Sequence, residues 1–539
     1  MKTHRSQSRA GPPTHIAAVI ASVLVTLPAR AEVSAHAGPA VQSKRAEHGK
    51  KAEPDPVAPT LAELEQQLRD PKPEKRRAAV RGLVRMAKPE AWRLVIEALA
   101  DGDSGVADEA QLSIAGILDA KLWKELWGRA GLDSKDELVA LRVAEALGSS
   151  KATFESDEVA KLLASHKGPL ARCLVWSAER LARAGRLAGS PDRLEAAFTR
   201  LAASNSDLHV SCAALVAAAE LRTDHAKRLA LDALRATAPE RRSAALMALV
   251  RMQAPEALAS AIRLAADADP RVRLTALDSL EALNTRAAMT ALVARLAQEP
   301  RLRLRWRIVD QLQVASGMKH RLDPRPWKLW IETLPAEGTL ARAPKPKVDP
   351  NAPSTRSGFT GLPMISDRVC YLFDFSGSMW TPLADGRIPK DIVSDKLRAA
   401  LEALPAETEF NLIPFTNVPL PWSEHALPAS PKNLRGALEF FLACRERGKG
   451  NFLDAALLAA SDPRIDTICV LTDGVPTGGT HSDMDLITPL FVEHTRFRRI
   501  VVDSILVDAP PAAARRWAEL SRLTGGRSIE VELKAAHEK

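Results

Sequence analysis

The run Arg368-Val369-Cys370-Tyr371-Leu372-Phe373 is almost wholly apolar and stops at Asp374, after which Ser376 and Ser378 follow at alternate positions. A continuous apolar stretch of this length suits a strand covered on both faces, as in the middle of a parallel sheet. Parallel neighbours need crossover connections, usually helices, so the surrounding chain is held to an alternating α/β plan. In open sheets of this kind the ligand site lies just past the carboxyl ends of the strands. Asp374, Ser376 and Ser378 would gather there as hard oxygens suited to a hard cation.

A second apolar strand, Ile468-Cys469-Val470-Leu471, runs into Thr472-Asp473-Gly474. Its cysteine precedes its aspartate by the same interval as Cys370 precedes Asp374, which predicts in-register neighbours with both aspartates on one lip. The same register makes Cys370 and Cys469 lateral neighbours. A disulfide between adjacent parallel strands would be strained, so two packed thiols are expected. A Asp-x-Ser-Gly-Ser strand followed by an apolar Thr-Asp-Gly strand resembles the von Willebrand factor A family over roughly residues 366–533. That resemblance implies a three-layer fold and a MIDAS-like site. Ser376 and Ser378 would ligate a divalent cation directly, Asp374 and Asp473 would act mostly through water, and the cation would take a carboxylate from a partner protein. The family also carries a ligating threonine in an intervening loop. Here the loop reads Gly448-Lys449-Gly450-Asn451, and Gly450 falls where the threonine hydroxyl belongs. Asn451 and Thr477 are the candidate substitutes.

The rest of the segment alternates as a doubly wound, Rossmann-like domain should. Strands are expected at 368–373, 409–415, 467–471, 500–506 and 528–533. Helices are expected at 390–404, 433–444, 453–460 and 512–523. Pro419 and Pro421 limit 418–422 to a short edge strand.

Between residues 61 and 335 the chain is rich in Ala, Leu, Arg and Glu at helical spacing, and it repeats. Asp269-Pro270 opens one unit, Glu299-Pro300 the next and Ala238-Pro239 the previous one, while Asp70-Pro71, Asp103, Asp133, Lys167 and Asp207 mark others. Proline suits the first turn of a helix, and the preceding aspartate can cap it. In the clearest unit Val272, Ala276, Leu277, Leu280 and Leu283 face one way, and Met289, Leu292, Val293 and Leu296 continue the core. This pattern is similar to HEAT-type repeats and implies about eight helix pairs stacked as an all-α solenoid. Arg301, Arg303, Arg305 and Arg307 alternate, so on a helix they split between two faces and read as a solvated surface. Trp327 and Trp330, one turn apart, are expected to cap the open end.

The predicted organisation is a signal peptide (1–31), a disordered segment (32–60), a HEAT-like solenoid (61–335), a Pro-rich linker (336–365) and the cation domain (366–539). Lys2, Arg5 and Arg9, the apolar stretch 16–27 and Ala29-Arg30-Ala31 carry the first of these. No later segment is apolar enough to cross a bilayer, which predicts an exported protein, periplasmic or secreted from a bacterium. The linker composition predicts two separate bodies with limited freedom. Net charge is +9, but aromatic residues make up only 4% of the chain, leaving few rings for base stacking, and no nucleic-acid motif is present.

The chain also lacks a G-x-S-x-G elbow, an H-E-x-x-H helix and a complete phosphate loop. His481 stands near the site as a lone loop histidine, a residue usually solvated. The expectation is a non-enzymatic binding protein. Its cation, Mg²⁺ with Mn²⁺ or Ca²⁺ as substitutes, captures an acidic group of a protein partner, and the repeats offer a second surface. The alternatives are a metal-independent scaffold, an accessory to an ATPase and a metal-dependent hydrolase.

Overall fold

The computed structural model describes residues 59–204, 207–341, 358–359, 362–363, 366–382 and 386–531. The expected signal peptide and most of the Pro-rich linker lie outside them.

Helices occupy the chain from Leu61 to Glu332. Eight of them stand side by side in one layer: Pro73–Met86, Ser104–Ile114, Glu137–Leu147, Gly168–Arg183, Leu208–Ala218, Pro239–Arg251, Pro270–Leu283 and Leu302–Ser316. The Asp-Pro reading holds at the best-marked unit, where Asp269 accepts from the Arg271 N–H at the start of Pro270–Leu283. Asp103 and Asp207 cap in the same way. Two markers are displaced. Asp136, not Asp133, caps the Glu137 helix, and the first layer helix starts at Pro73 behind Lys72, not at Asp70-Pro71. Trp327 and Trp330 are buried against each other with ring centroids 6.2 Å apart.

The C-terminal part is a six-stranded sheet. Its strands are β1 (Arg368–Asp374), β2 (Glu409–Phe415), β3 (Leu427–Pro428), β4 (Thr467–Thr472), β5 (Val501–Val507) and β6 (Ser528–Val531), in spatial order β6-β5-β4-β1-β2-β3. All neighbours are parallel except β3, which runs antiparallel to β2 at the edge. The 418–422 segment is not itself a strand. Trp422 and Leu420 donate backbone bonds to Leu412 and Pro414, so it runs alongside β2, but its prolines break the ladder. Cys370 and Leu372 of β1 pack on one face, under the helices Phe452–Ser461, Met484–His494 and Pro511–Thr524. Val369, Tyr371 and Phe373 pack on the other, under Pro389–Glu402 and Pro431–Ala443.

The register departs from expectation by one residue. Cys370 stands opposite Ile468, and Tyr371 opposite Cys469. Because side chains alternate across a strand, one step of register moves a residue to the other face. Cys370 therefore belongs to one apolar layer and Cys469 to the other, and the two thiols are not lateral neighbours. All five cysteines are free.

The two parts do not stand apart as the linker composition implies; they pack as one compact unit. Phe497, from the sheet domain, is buried in the apolar cluster of the helical array. Next to it Arg496 grips Glu179 at 2.7 and 3.0 Å. Three arginines of the stripe are not simply solvated either. Arg301 pairs with Asp367 at 3.0 Å, Arg303 with Asp466 at 3.0 Å, and Arg307 with Asp278, which also takes Arg499. Two of those carboxylates and Arg499 belong to the sheet domain, which is why the repeat sequence alone reads as solvent-facing.

Candidate divalent-cation site

β1 ends at Asp374, whose side chain is only 3% exposed at the carboxyl lip of the sheet. The chain then turns. Ser376 donates its N–H to Asp374 Oδ1 at 2.8 Å, and the Ser376 and Ser378 hydroxyl oxygens lie 3.2 Å apart. Ser376 is nearly buried while Ser378 is exposed, so the pair opens outward. Gly377 donates to the Gly448 carbonyl at 3.2 Å, tying this turn to the Gly448–Asn451 loop.

The shifted register reveals a residue that sequence reasoning passed over. Asp374 faces Thr472, not Asp473, and Thr472 Oγ1 donates to Asp374 Oδ2 at 2.7 Å. Asp473 lies one step beyond, half-buried on the same lip. The signal for Thr472 was the Thr-Asp-Gly triplet itself, read in the other register. Behind it Trp517 Nε1 donates to the Gly474 carbonyl at 2.8 Å and holds that loop.

Burial pushes the Asp374 carboxyl above its ordinary range. Bonds from Thr472 and Ser376 oppose this, and the Asp473 charge adds to it. Among the described residues no basic side chain pairs with Asp374 or Asp473.

Gly450 lies beside this cluster, and a Cβ built on it would sit 3.4 Å from Asp374 Oδ1. The loop therefore passes where the missing hydroxyl would be useful. The two candidate substitutes differ. Asn451 caps the Phe452–Ser461 helix, and its amide donates to Asn417 O at 3.0 Å and Asp454 Oδ2 at 2.7 Å, so it is committed to the loop and not to the lip. Thr477 is exposed and clipped to Gly450: its Oγ1 accepts from Gly450 N at 2.9 Å and its N–H donates to Gly450 O at 3.1 Å.

His481 is not solvated. It is 2% exposed and sits between Asp108 Oδ1 (2.9 Å) and Glu145 Oε2 (3.3 Å) of the helical array. Burial disfavours the imidazolium, but Glu145 and Asp108 outweigh it and raise its pKa to about 9. Burial likewise pushes Asp108 up, yet His481 and Arg142 hold it at about 2.

The donor set fits a hard divalent cation: a buried and an exposed serine hydroxyl side by side, a buried carboxylate with no basic partner among the described residues, and a second carboxylate beside it. Among the described residues no group of three His, Cys, Asp or Glu side chains gathers as a metal cluster, so hydroxyls and water would supply much of the coordination.

A family model described as HEAT repeats matches residues 228–313. The chain is 32% identical over 101 residues to inter-alpha-trypsin inhibitor heavy chain H3 of Bos taurus, a match that covers 19% of this chain and 11% of that relative. Among solved structures, a von Willebrand factor type A protein from Catenulispora acidiphila aligns with 30% of this chain and 38% of its own, at 16% identity and a TM-score of 0.26. The SpRpn10 VWA domain aligns with 31% of this chain and 88% of its own, at 13% identity and a TM-score of 0.24. The HEAT-repeat match falls within the stacked helix layer, and that layer is followed by an α/β domain, with Asp374, Ser376 and Ser378 at the lip of its parallel sheet, that is similar to von Willebrand factor A domains.

Proposed function

We propose that the protein is an exported, non-enzymatic binding scaffold that captures an acidic group of a protein partner at the lip of its A-type sheet. The observation that carries this reading is the buried Asp374 carboxylate. It has hydroxyls around it and, among the described residues, no basic side chain paired with it, although burying an unpaired charge is costly. A bound Mg²⁺, or Mn²⁺ or Ca²⁺ in its place, would supply the missing positive charge and keep enough of it to attract an outside carboxylate. Ser376 and Ser378 would present their hydroxyl oxygens. Asp374, held by Thr472, and Asp473 would orient water and balance charge.

The helical layer has a second role in this reading. The sheet domain already covers part of it through Phe497 and the arginine pairs. A second partner would meet the remaining repeat surface. No helix among the described residues is long and apolar enough to cross a membrane. Export rests on the expected signal peptide and is tested by N-terminal sequencing of protein from the exported fraction: a start at Glu32 supports it, and an intact Met1 argues against it. A metal-independent scaffold is the second reading, favoured by the absent side chain at Gly450.

The functional test is capture of carboxylate-bearing peptides by the full chain in Mg²⁺ and in chelator. Capture lost in chelator and in a Ser376→Ala/Ser378→Ala variant supports cation-dependent binding. Capture that persists in both favours the metal-independent scaffold.

A further inference from the structure

The loop following β4 is fastened at two places. At its start Thr477 is clipped to Gly450 by two hydrogen bonds, beside Asp374. Three residues later it enters the helical array. Arg142 Nη2 donates to Thr480 O at 2.6 Å. Asp108, 1% exposed, accepts from Ser482 N at 2.7 Å, Asp483 N at 2.9 Å, Ser482 Oγ at 3.2 Å and His481 Nδ1 at 2.9 Å, and Arg142 Nη1 adds a further bond at 2.7 Å. The neighbouring loop is held too, by Lys449 Nζ on Asp103 at 3.0 Å. Both loops that border the lip are thus anchored on the repeats, and one anchor carboxylate takes five donors.

We infer that the helical array, through Asp108 and Arg142, positions Thr477 to stand in for the hydroxyl that Gly450 lacks, so that cation affinity depends on docking of the two domains. The inference rests on the cation-binding reading above. Ordering a loop costs conformational entropy, and the Asp108 contacts meet that cost before any cation arrives. A hydroxyl that accepts one N–H still has a lone pair to offer. Asp108 and Arg142 are positioning residues; Thr477 is the one that would touch the cation.

The test is Mn²⁺ titration of the full chain, read from the spectroscopic signal of free Mn²⁺, with hydrogen exchange over 477–483 as a second readout. Asp108→Asn and Thr477→Val should each weaken binding roughly tenfold or more, in the range seen when groups supporting metal ligands are removed. Asp108→Asn should also speed exchange in the loop, and Thr477→Ser should restore affinity. Thr477 is exposed, so Thr477→Val tests the idea even if Asp108→Asn fails to fold. Wild-type affinity in Thr477→Val, or in an Asp108→Asn chain whose loop exchanges faster, overturns the inference and leaves the cation reading intact. No saturable binding by wild type sinks both.

Discussion

Buried carboxylates at two places in this protein are held in different ways. Where the array meets the sheet domain, each has cations of its own chain. Asp108 takes Arg142 and His481, and Glu179 takes Arg183, Arg251 and Arg496. At the carboxyl lip Asp374 is as buried, yet its partners are the Thr472 hydroxyl and Ser376, and among the described residues no basic side chain pairs with it. Removing a charge from water is tolerated when the chain pairs it. The interface carboxylates are therefore paired within the chain, whereas Asp374, in the function proposed above, is completed by a charge from outside.

The largest effect expected on the paired side comes from Arg496→Met. It removes one of the cations on Glu179 and the polar anchor beside Phe497. Breaking a buried pair from one side costs about 3–5 kcal/mol. Thermal unfolding should change from one transition to two as the domains part; an unchanged single transition would mean that Arg496 is dispensable.

The His481 network should show as pH dependence. The folded pKa of about 9 lies above the ordinary value of 6.5, so its contribution is complete below about 6.5 and is lost as pH rises through 9. Asp108, held at about 2, contributes above its ordinary value of 3.8 and loses that contribution as pH falls toward 2. The groups facing His481 are Asp108, Glu145 and Arg142. A shift of this size is worth on the order of 3 kcal/mol. Stability should thus fall between pH 6.5 and 9, and His481→Gln should flatten that slope. An equal slope in the variant would move the effect elsewhere.

Gly450→Thr sharpens the unpaired side. A Cβ there meets Asp374 Oδ1 at 3.4 Å, ordinary contact. The added hydroxyl should strengthen cation binding about tenfold, ~1.4 kcal/mol. Weaker binding in the variant would show that the loop cannot accept the family residue. The smallest effect belongs to Arg301→Ala, whose pair with Asp367 is partly exposed (34% and 49%). Such pairs contribute about 0–1 kcal/mol, and a larger loss in thermal unfolding would show that the pair is less screened than its exposure implies.

The strands and the lip were legible in the sequence because a two-faced apolar run and its terminal oxygens are local signals. Repeat units were legible where proline and aspartate mark helix starts. Register was not: the matching Cys-to-Asp intervals pointed to Asp473, and a one-residue offset put Thr472 opposite Asp374. The Met484–His494 helix also went unread. Met484, Ile487, Thr488 and Phe491 are its buried positions at helical spacing, but Pro489 interrupts the pattern. Nothing local announced the interface. Asp108 and His481 stand 373 residues apart in the chain, so each looked like an isolated polar residue.

The central proposal, that the lip binds a cation while the interface carboxylates are paired within the chain, is tested by calorimetric titration of Mg²⁺ and Mn²⁺ into the full chain and its Ser376→Ala/Ser378→Ala variant. Saturable binding by wild type that disappears in the variant is the predicted result. No binding near millimolar cation, or equal binding by the variant, would contradict it.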